Sequence, residues 1–108
     1  MRSVIEKNLN IISERGIEDF CKKWNVSELA FFGSVLGDDF TPSSDVDVLI
    51  SFVPNCAPGL VGFNNMAREL EQLFGRRVDL ITRKAVERSP NHIRKSSILS
   101  SAEVFYAA

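Results

Sequence analysis

Cysteine, histidine and tryptophan are scarce in this chain. Its 108 residues include two cysteines, one histidine, one tryptophan and one tyrosine. Cys21 and Cys56 are too few and too isolated for a disulfide framework or a zinc site. Both are expected to be reduced packing residues of a cytoplasmic protein. His92 has no second histidine to share a metal with and reads as a surface residue early in a helix. No apolar run approaches the length of a membrane span, and no signal peptide opens the chain. An excess of one charge is missing too. The net charge of −1 at pH 7 implies no general affinity for nucleic acid or for an anionic membrane. There is no internal repeat and no low-complexity tract. What remains, 44% hydrophobic and 25% charged, fits one globular domain over residues 1–108 with a modest core.

Periodicity sets the order of elements. Ser3-Val4-Ile5-Glu6 has the form of a capping box, and Ile5, Leu9 and Ile12 follow at helical spacing. Gly16 is a natural stop. Ile17, Phe20, Cys21 and Trp24 mark one face of a second helix, with Trp24 expected in the core or at a docking surface. Glu28 to Phe32 reads as a short strand, apolar on both faces and so central. A loop rich in turn residues runs from Gly37 to Ser44, and Asp38 and Asp39 read as its solvated charges. A second strand spans about Asp45 to Val53. After the break at Pro54–Gly59, a helix over Leu60–Phe74 carries Phe63, Met66, Ala67, Leu70 and Leu73 on one stripe and stops at Gly75. Arg77 to Thr82 is a third strand. Ser89-Pro90 reads as the cap and first residue of a last helix, to about Ser100, with Ile93 and Ile98 or Leu99 inward. Ala102 to Tyr106 closes as a short strand or tail. The fold class expected is α+β: a small mixed β-sheet with helices packed on one face and the aspartates on the other.

Chemistry concentrates in two places. Gly33-Ser34 ends the first strand, and Asp45-Val46-Asp47 opens the second. Side chains alternate along a strand, so Asp45 and Asp47 share a face while Val46, Val48, Ile50 and Phe52 turn to the core. Two carboxylates side by side repel, and the pair needs a cation or a shared proton. Their hard oxygens suit Mg²⁺, which takes one or two carboxylates together with phosphate oxygens and water. Gly33 allows close approach of backbone to phosphate, N–H groups opening a helical turn attract phosphate, and Ser34 adds a hydroxyl. Alone, a Gly-Ser turn is an ordinary turn and Asp-x-Asp a common solvated edge. Their succession across two apolar strands is far more specific, and points to a nucleoside triphosphate site. Asp79 shares a face with Arg77 and Ile81. An aspartate among apolar neighbours is costly unless paired or metal-bound. It is therefore either a third carboxylate or the partner of Arg77 on an edge strand.

Gly33-Ser34, ten intervening residues and Asp45-Val46-Asp47 resemble the signature of the polymerase-β-type nucleotidyltransferases. The wider run, Phe32 to Phe40 and then Asp45 to Ile50, resembles the minimal nucleotidyltransferases (MNT) among them. Arg77-Val78-Asp79-Leu80-Ile81-Thr82-Arg83-Lys84 resembles the strand bearing that family's third carboxylate. The likeness extends from about Leu29 to the C-terminus. The family often has a basic residue where this chain has Gly37.

The resemblance implies that Asp45, Asp47 and Asp79 are catalytic and hold magnesium, as two ions. It implies that Gly33, Ser34 and, less strongly, Arg77 bind the nucleotide, with ATP as substrate. It further implies transfer of AMP to a protein hydroxyl, a tyrosine of a HEPN-type (all-helical ribonuclease) toxin, so that the chain acts as an antitoxin in a homo- or hetero-oligomer. Two alternatives stand beside it. One is an antitoxin that works by binding alone, with Gly37 marking lost catalysis; the other is a small-molecule nucleotidyltransferase.

Overall fold

The computed structural model describes Ile5, Asn8, Leu9 and residues 14–108. The capping box at Ser3–Glu6 and the expected stripe residue Ile12 lie outside them, apart from Ile5. In chain order the elements are α1 (Glu14–Lys23), β1 (Val26–Phe32), a 3₁₀ turn (Gly33–Leu36), β2 (Val46–Phe52), α2 (Leu60–Phe74), β3 (Val78–Thr82), α3 (Arg83–Glu87), α4 (His92–Ser101) and β4 (Glu103–Ala107). The strands form one sheet in the order β3-β2-β1-β4. β1 pairs antiparallel with both β2 and β4, while β2 and β3 are parallel and joined through α2. The sheet is mixed, as its sequence suggests, and the two most apolar strands are central.

Alternation divides the buried residues between two faces. Leu29 and Phe31 of β1, with Val46, Val48 and Ile50 of β2, join Ile17, Phe20 and Cys21 of α1 and Met66, Leu70 and Phe74 of α2. Phe31 sits at the middle of this main core, its ring 5.8 Å from Phe74 and edge-on to Phe105 at 5.5 Å. Ala30, Phe32 and Leu49 face the other way and meet Val86 of α3 and Ile98 of α4. The helices therefore lie on both faces rather than on one. α3 and α4 cover the centre of the aspartate-bearing face and leave the aspartates' end open. Burial also explains Cys21, whose thiol is pushed up to about 12 by desolvation and then by the nearby Glu18 charge. That thiol packs and does not react.

Two helix ends differ from their expected places. Gly16 lies in α1, the third of its described residues, and does not end a helix; the helix goes on to bury Ile17, Phe20 and Cys21. The last helix is capped by Asn91, whose side chain accepts from the Arg94 N–H at 3.0 Å, and not by Ser89. Ile93 is 86% exposed instead of inward. At 100° per residue Ile93 and Ile98 lie on opposite sides of the helix, whereas Arg94 and Ile98, four apart, share a side. Other ends follow the sequence. Gly75 adopts φ +68° and its N–H closes α2 onto the Glu71 carbonyl, and the Thr82 side chain caps α3.

Candidate active site

One end of the sheet gathers the carboxylates. Asp45 lies just before β2, Asp47 is in its second position, and parallel pairing sets Asp79 of β3 beside Asp47. Antiparallel pairing sets Phe32 opposite Asp47, so Gly33 emerges directly over that carboxylate. Gly33 has φ +75°, and a Cβ built on it would collide with Asp47 Oδ2. Only glycine satisfies both conditions, the left-handed backbone and the close approach. Its 3₁₀ turn has no acidic residue and no side-chain cap at its start.

The loop into Asp45 is held from the other side. The Arg76 guanidinium donates to the Thr41 carbonyl at 2.7 Å and the Ser44 carbonyl at 3.3 Å, and it stacks on the Phe40 ring at 4.1 Å. The Ser44 hydroxyl accepts from the Thr41 N–H at 3.0 Å. At the head of β3 the Val46 N–H donates to the Arg77 carbonyl at 2.9 Å, and the Val78 N–H to the Glu71 carboxylate at 3.1 Å. These bonds lock the register that aligns Asp47 with Asp79. The 3₁₀ turn has its own tether: the Asn8 amide donates to the carbonyls of Val35 (2.7 Å) and Gly37 (3.0 Å).

Electrostatics single out Asp47. It is half-buried, and its pKa is pushed up to about 6 from the ordinary 3.8. Burial is the largest cause, followed by the charges of Asp79 and Asp45, while Arg94 pulls the other way. Asp45 and Asp79 are exposed. The three carboxylates are thus close enough to repel, yet among the described residues no three Asp, Glu, His or Cys side chains enclose an ion by themselves. That donor set fits magnesium, which leaves several positions to water and phosphate. The Gly33 cradle, open toward the same point, offers backbone in place of a side chain.

Not every expected residue joins this cluster. Ser34, in the 3₁₀ turn, is half-buried. Arg77 contributes its backbone to the register, but its exposed side chain makes no ion pair or hydrogen bond with Asp79, Asp45 or Asp47. The Arg77–Asp79 pair is therefore absent from this structure. His92 is exposed at the start of α4. A Cβ at Gly37 would meet nothing within 4 Å, so a basic side chain there is missing from open space rather than displaced.

Three contributors went unread in the sequence. Arg94 of α4 lies near enough to Asp47 for its charge to lower that carboxyl's pKa, with no ion pair between them; its spacing of four from Ile98 is the available signal. Arg76 and Asn8 gave none, since each acts on backbone carbonyls far away in sequence.

The family model described as nucleotidyltransferase domain matches residues 13–104. A candidate protein adenylyltransferase of Methanocaldococcus jannaschii, MJ1379, is 27% identical over 96 residues, covering 89% of this chain and 86% of that protein. The protein adenylyltransferase MntA of Thermococcus cleftensis is 33% identical over 66 residues, 61% of this chain and 65% of MntA. A crystal structure of a toxin–antitoxin with AMP-PNP contains a chain that superposes with a TM-score of 0.68 at 15% identity, covering 90% of this chain and 75% of that one. This last likeness is one of fold.

Proposed function

The chain belongs to the nucleotidyltransferase domain family, and from that premise we propose that it moves AMP from ATP onto a hydroxyl of a bound protein. The acceptor in this reading is a tyrosine of a HEPN-type toxin, which the modification silences. One observation carries the proposal: Gly33, with its positive φ, backs directly onto the Asp47 carboxylate. A turn that only reversed the chain would not need that approach. The adenylyltransferase relatives and the toxin–antitoxin fold neighbour support the choice of nucleotide and acceptor.

Each residue has a part in the proposed reaction. The Gly33 N–H and the Ser34 hydroxyl bind phosphate oxygens, and Arg77 is a further, weaker phosphate contact. Asp45, Asp47 and Asp79 would hold magnesium, which would supply the charge neutralisation that a triphosphate needs beside carboxylates. Asp79, beside Asp47 on the edge strand, takes the proton of the attacking hydroxyl. An O–P bond forms at the α-phosphate, the α–β phosphoanhydride breaks, and pyrophosphate leaves with the bonding electrons. Arg94 adds positive charge across from Asp47 as negative charge accumulates. Catalysis of this kind is mostly positioning and electrostatics.

The test is intact-mass analysis of the chain with a co-purified partner, after incubation with each nucleoside triphosphate and magnesium. Gain of one AMP on the partner, lost in Asp45→Ala/Asp47→Ala, is the expected result. Tight binding without any transfer would overturn the enzyme reading in favour of neutralisation by binding alone. That second reading draws on the open space at Gly37.

A further inference from the structure

At the opposite end of β2 and β3 lies a groove of about 780 Å³. Its floor includes Phe52, Phe63 and Leu80, and its walls are the β2–α2 loop on one side and α3 on the other. Asp47 stands roughly 16 Å away along the strand, so the groove is separate from the carboxylate cluster.

The composition of this corner is unusual. Between Asp47 and Arg68 no residue is charged, although a loop and the start of α2 in that stretch lie at the surface. Five large hydrophobic side chains are exposed among the described residues; two of them line the groove, Val53 (38%) and Leu60 (78%), and a third, Val61 (75%), follows Leu60 in the chain outside the lining. Isolated exposed apolar residues are ordinary, but a contiguous group marks an interaction site. A charge-depleted centre inside a charged rim is the anatomy of a protein interface.

The rim is basic. Lys84 of α3 and Arg88, the residue that ends that helix, line the groove and are exposed. Arg83 is committed to Glu28, with Nη2 to Oε1 at 3.1 Å, and Glu87 is the one acid in the lining. α2 begins at the groove with no side-chain cap and no acid in its first turn, which adds the positive end of a helix dipole. A second copy of this chain is a poor complement: Ile93, the most exposed large apolar side chain among the described residues, is followed directly by Arg94 and Lys95.

We propose that this groove docks a partner protein through an apolar ridge flanked by carboxylates, with Leu60 and Phe52 receiving the ridge and Lys84 and Arg88 the acids. The proposal stands apart from the transfer chemistry, because it uses neither the carboxylates nor the Gly33 turn.

The chain carries its own reporter. Trp24 is the only tryptophan, and it closes with Pro58 over Gly62, where a Cβ would lie 3.6 Å from the indole and 2.8 Å from Pro58 Cβ. Trp24 fluorescence is titrated with two synthetic amphipathic helices that share one leucine stripe, one flanked by glutamates and one by lysines. The acidic peptide is expected to bind at least about tenfold more tightly. Leu60→Asp should weaken it by about tenfold or more, and Lys84→Glu/Arg88→Glu should reverse the preference. Leu60 opens α2 and is exposed, so an aspartate there suits the helix dipole and leaves the fold intact. Asp47→Asn should bind the acidic peptide as the native chain does. Equal or absent binding of the two peptides overturns the proposal, as does acidic-peptide binding that survives both groove variants. A dimer in sedimentation that Leu60→Asp dissolves would also overturn it, by making the groove a self-interface.

Discussion

Strands β2 and β3 run side by side through one core and end in opposite environments. At their beginnings stand three carboxylates, a glycine turn and an arginine; at their ends, an apolar groove with a basic edge. The first end is held by directed bonds: Arg76 on the Asp45 loop, Asn8 on the 3₁₀ turn, Glu71 on the Val78 N–H. The second is shaped by prolines, apolar contacts and a single ion pair. Chemistry demands fixed geometry against electrostatic repulsion, and the chain supplies hydrogen bonds there. Recognition by an apolar surface needs exposed area, and there the chain leaves charge out.

The sharpest separation of the two ends comes from the carboxylates. Asp47→Asn or Asp45→Asn should lower transfer by on the order of 10³-fold or more, with groove binding and the circular-dichroism spectrum unchanged. Loss of both functions together would mean that the ends are not independent. Gly33→Ala comes next. It adds a Cβ where Asp47 Oδ2 lies and forces alanine to φ +75°, which should cost about 1–3 kcal/mol of stability and most of the transfer activity. Chemical denaturation measures the first and a labelled-nucleotide assay the second.

Arg94→Gln should lower kcat/KM for ATP by roughly tenfold while leaving the melting temperature nearly constant. An unaltered kcat/KM would remove Arg94 from the site. A smaller effect is expected with pH. A carboxyl whose pKa is raised in the folded state holds its proton more tightly there than in the unfolded chain. Ionising it therefore costs stability, a cost absent below the ordinary value and complete above the folded one. For Asp47 that window runs from 3.8 to about 6. With chelator present, Asp47→Asn should melt a few degrees above the native chain at about pH 7.5, with the gap closing near pH 4. A constant gap across that range would show that Asp47 is not the titrating group. Least of all, Gly37→Lys should shift stability by no more than about 0.5 kcal/mol, since its backbone is extended and the space is open. Faster transfer in that variant would identify the contact that a basic side chain supplies.

Much of the carboxylate end was legible because it is written in short-range patterns. Asp45 and Asp47 share a face by alternation alone, and the apolar run after them fixes which face is core. Glycine and proline punctuated α2 correctly, since Gly75 takes the left-handed conformation that its position requires. Reading failed where tertiary packing chose between local options. Gly16 has the form of a stop, but it lies within the described helix Glu14–Lys23, which goes on to bury the stripe beyond it. Ser89-Pro90 has the form of a helix start, yet Asn91 two residues on makes the cap and the packing of Ile98 turns Ile93 to solvent. The distribution of helices over both faces also escaped local pattern, because α3 is only five residues long and reaches the sheet through Val86. Arg76 acts across 35 positions on the Thr41 carbonyl, a separation over which sequence spacing says nothing.

Asn8 sets a lower bound on what can stand alone. Its amide grips the turn that carries Gly33, and it is flanked by the buried Ile5 and Leu9. All three precede residue 13, where the match to the family model begins. The match also stops at residue 104, before Phe105 places its ring edge against Phe31. A protein trimmed to those limits would keep Asp45, Asp47 and Asp79 and lose the brace at each margin. The recognisable pattern is therefore shorter than the set of residues that brace the site, and a graft of residues 13–104 onto another scaffold would need replacements for both braces before its aspartates could be judged.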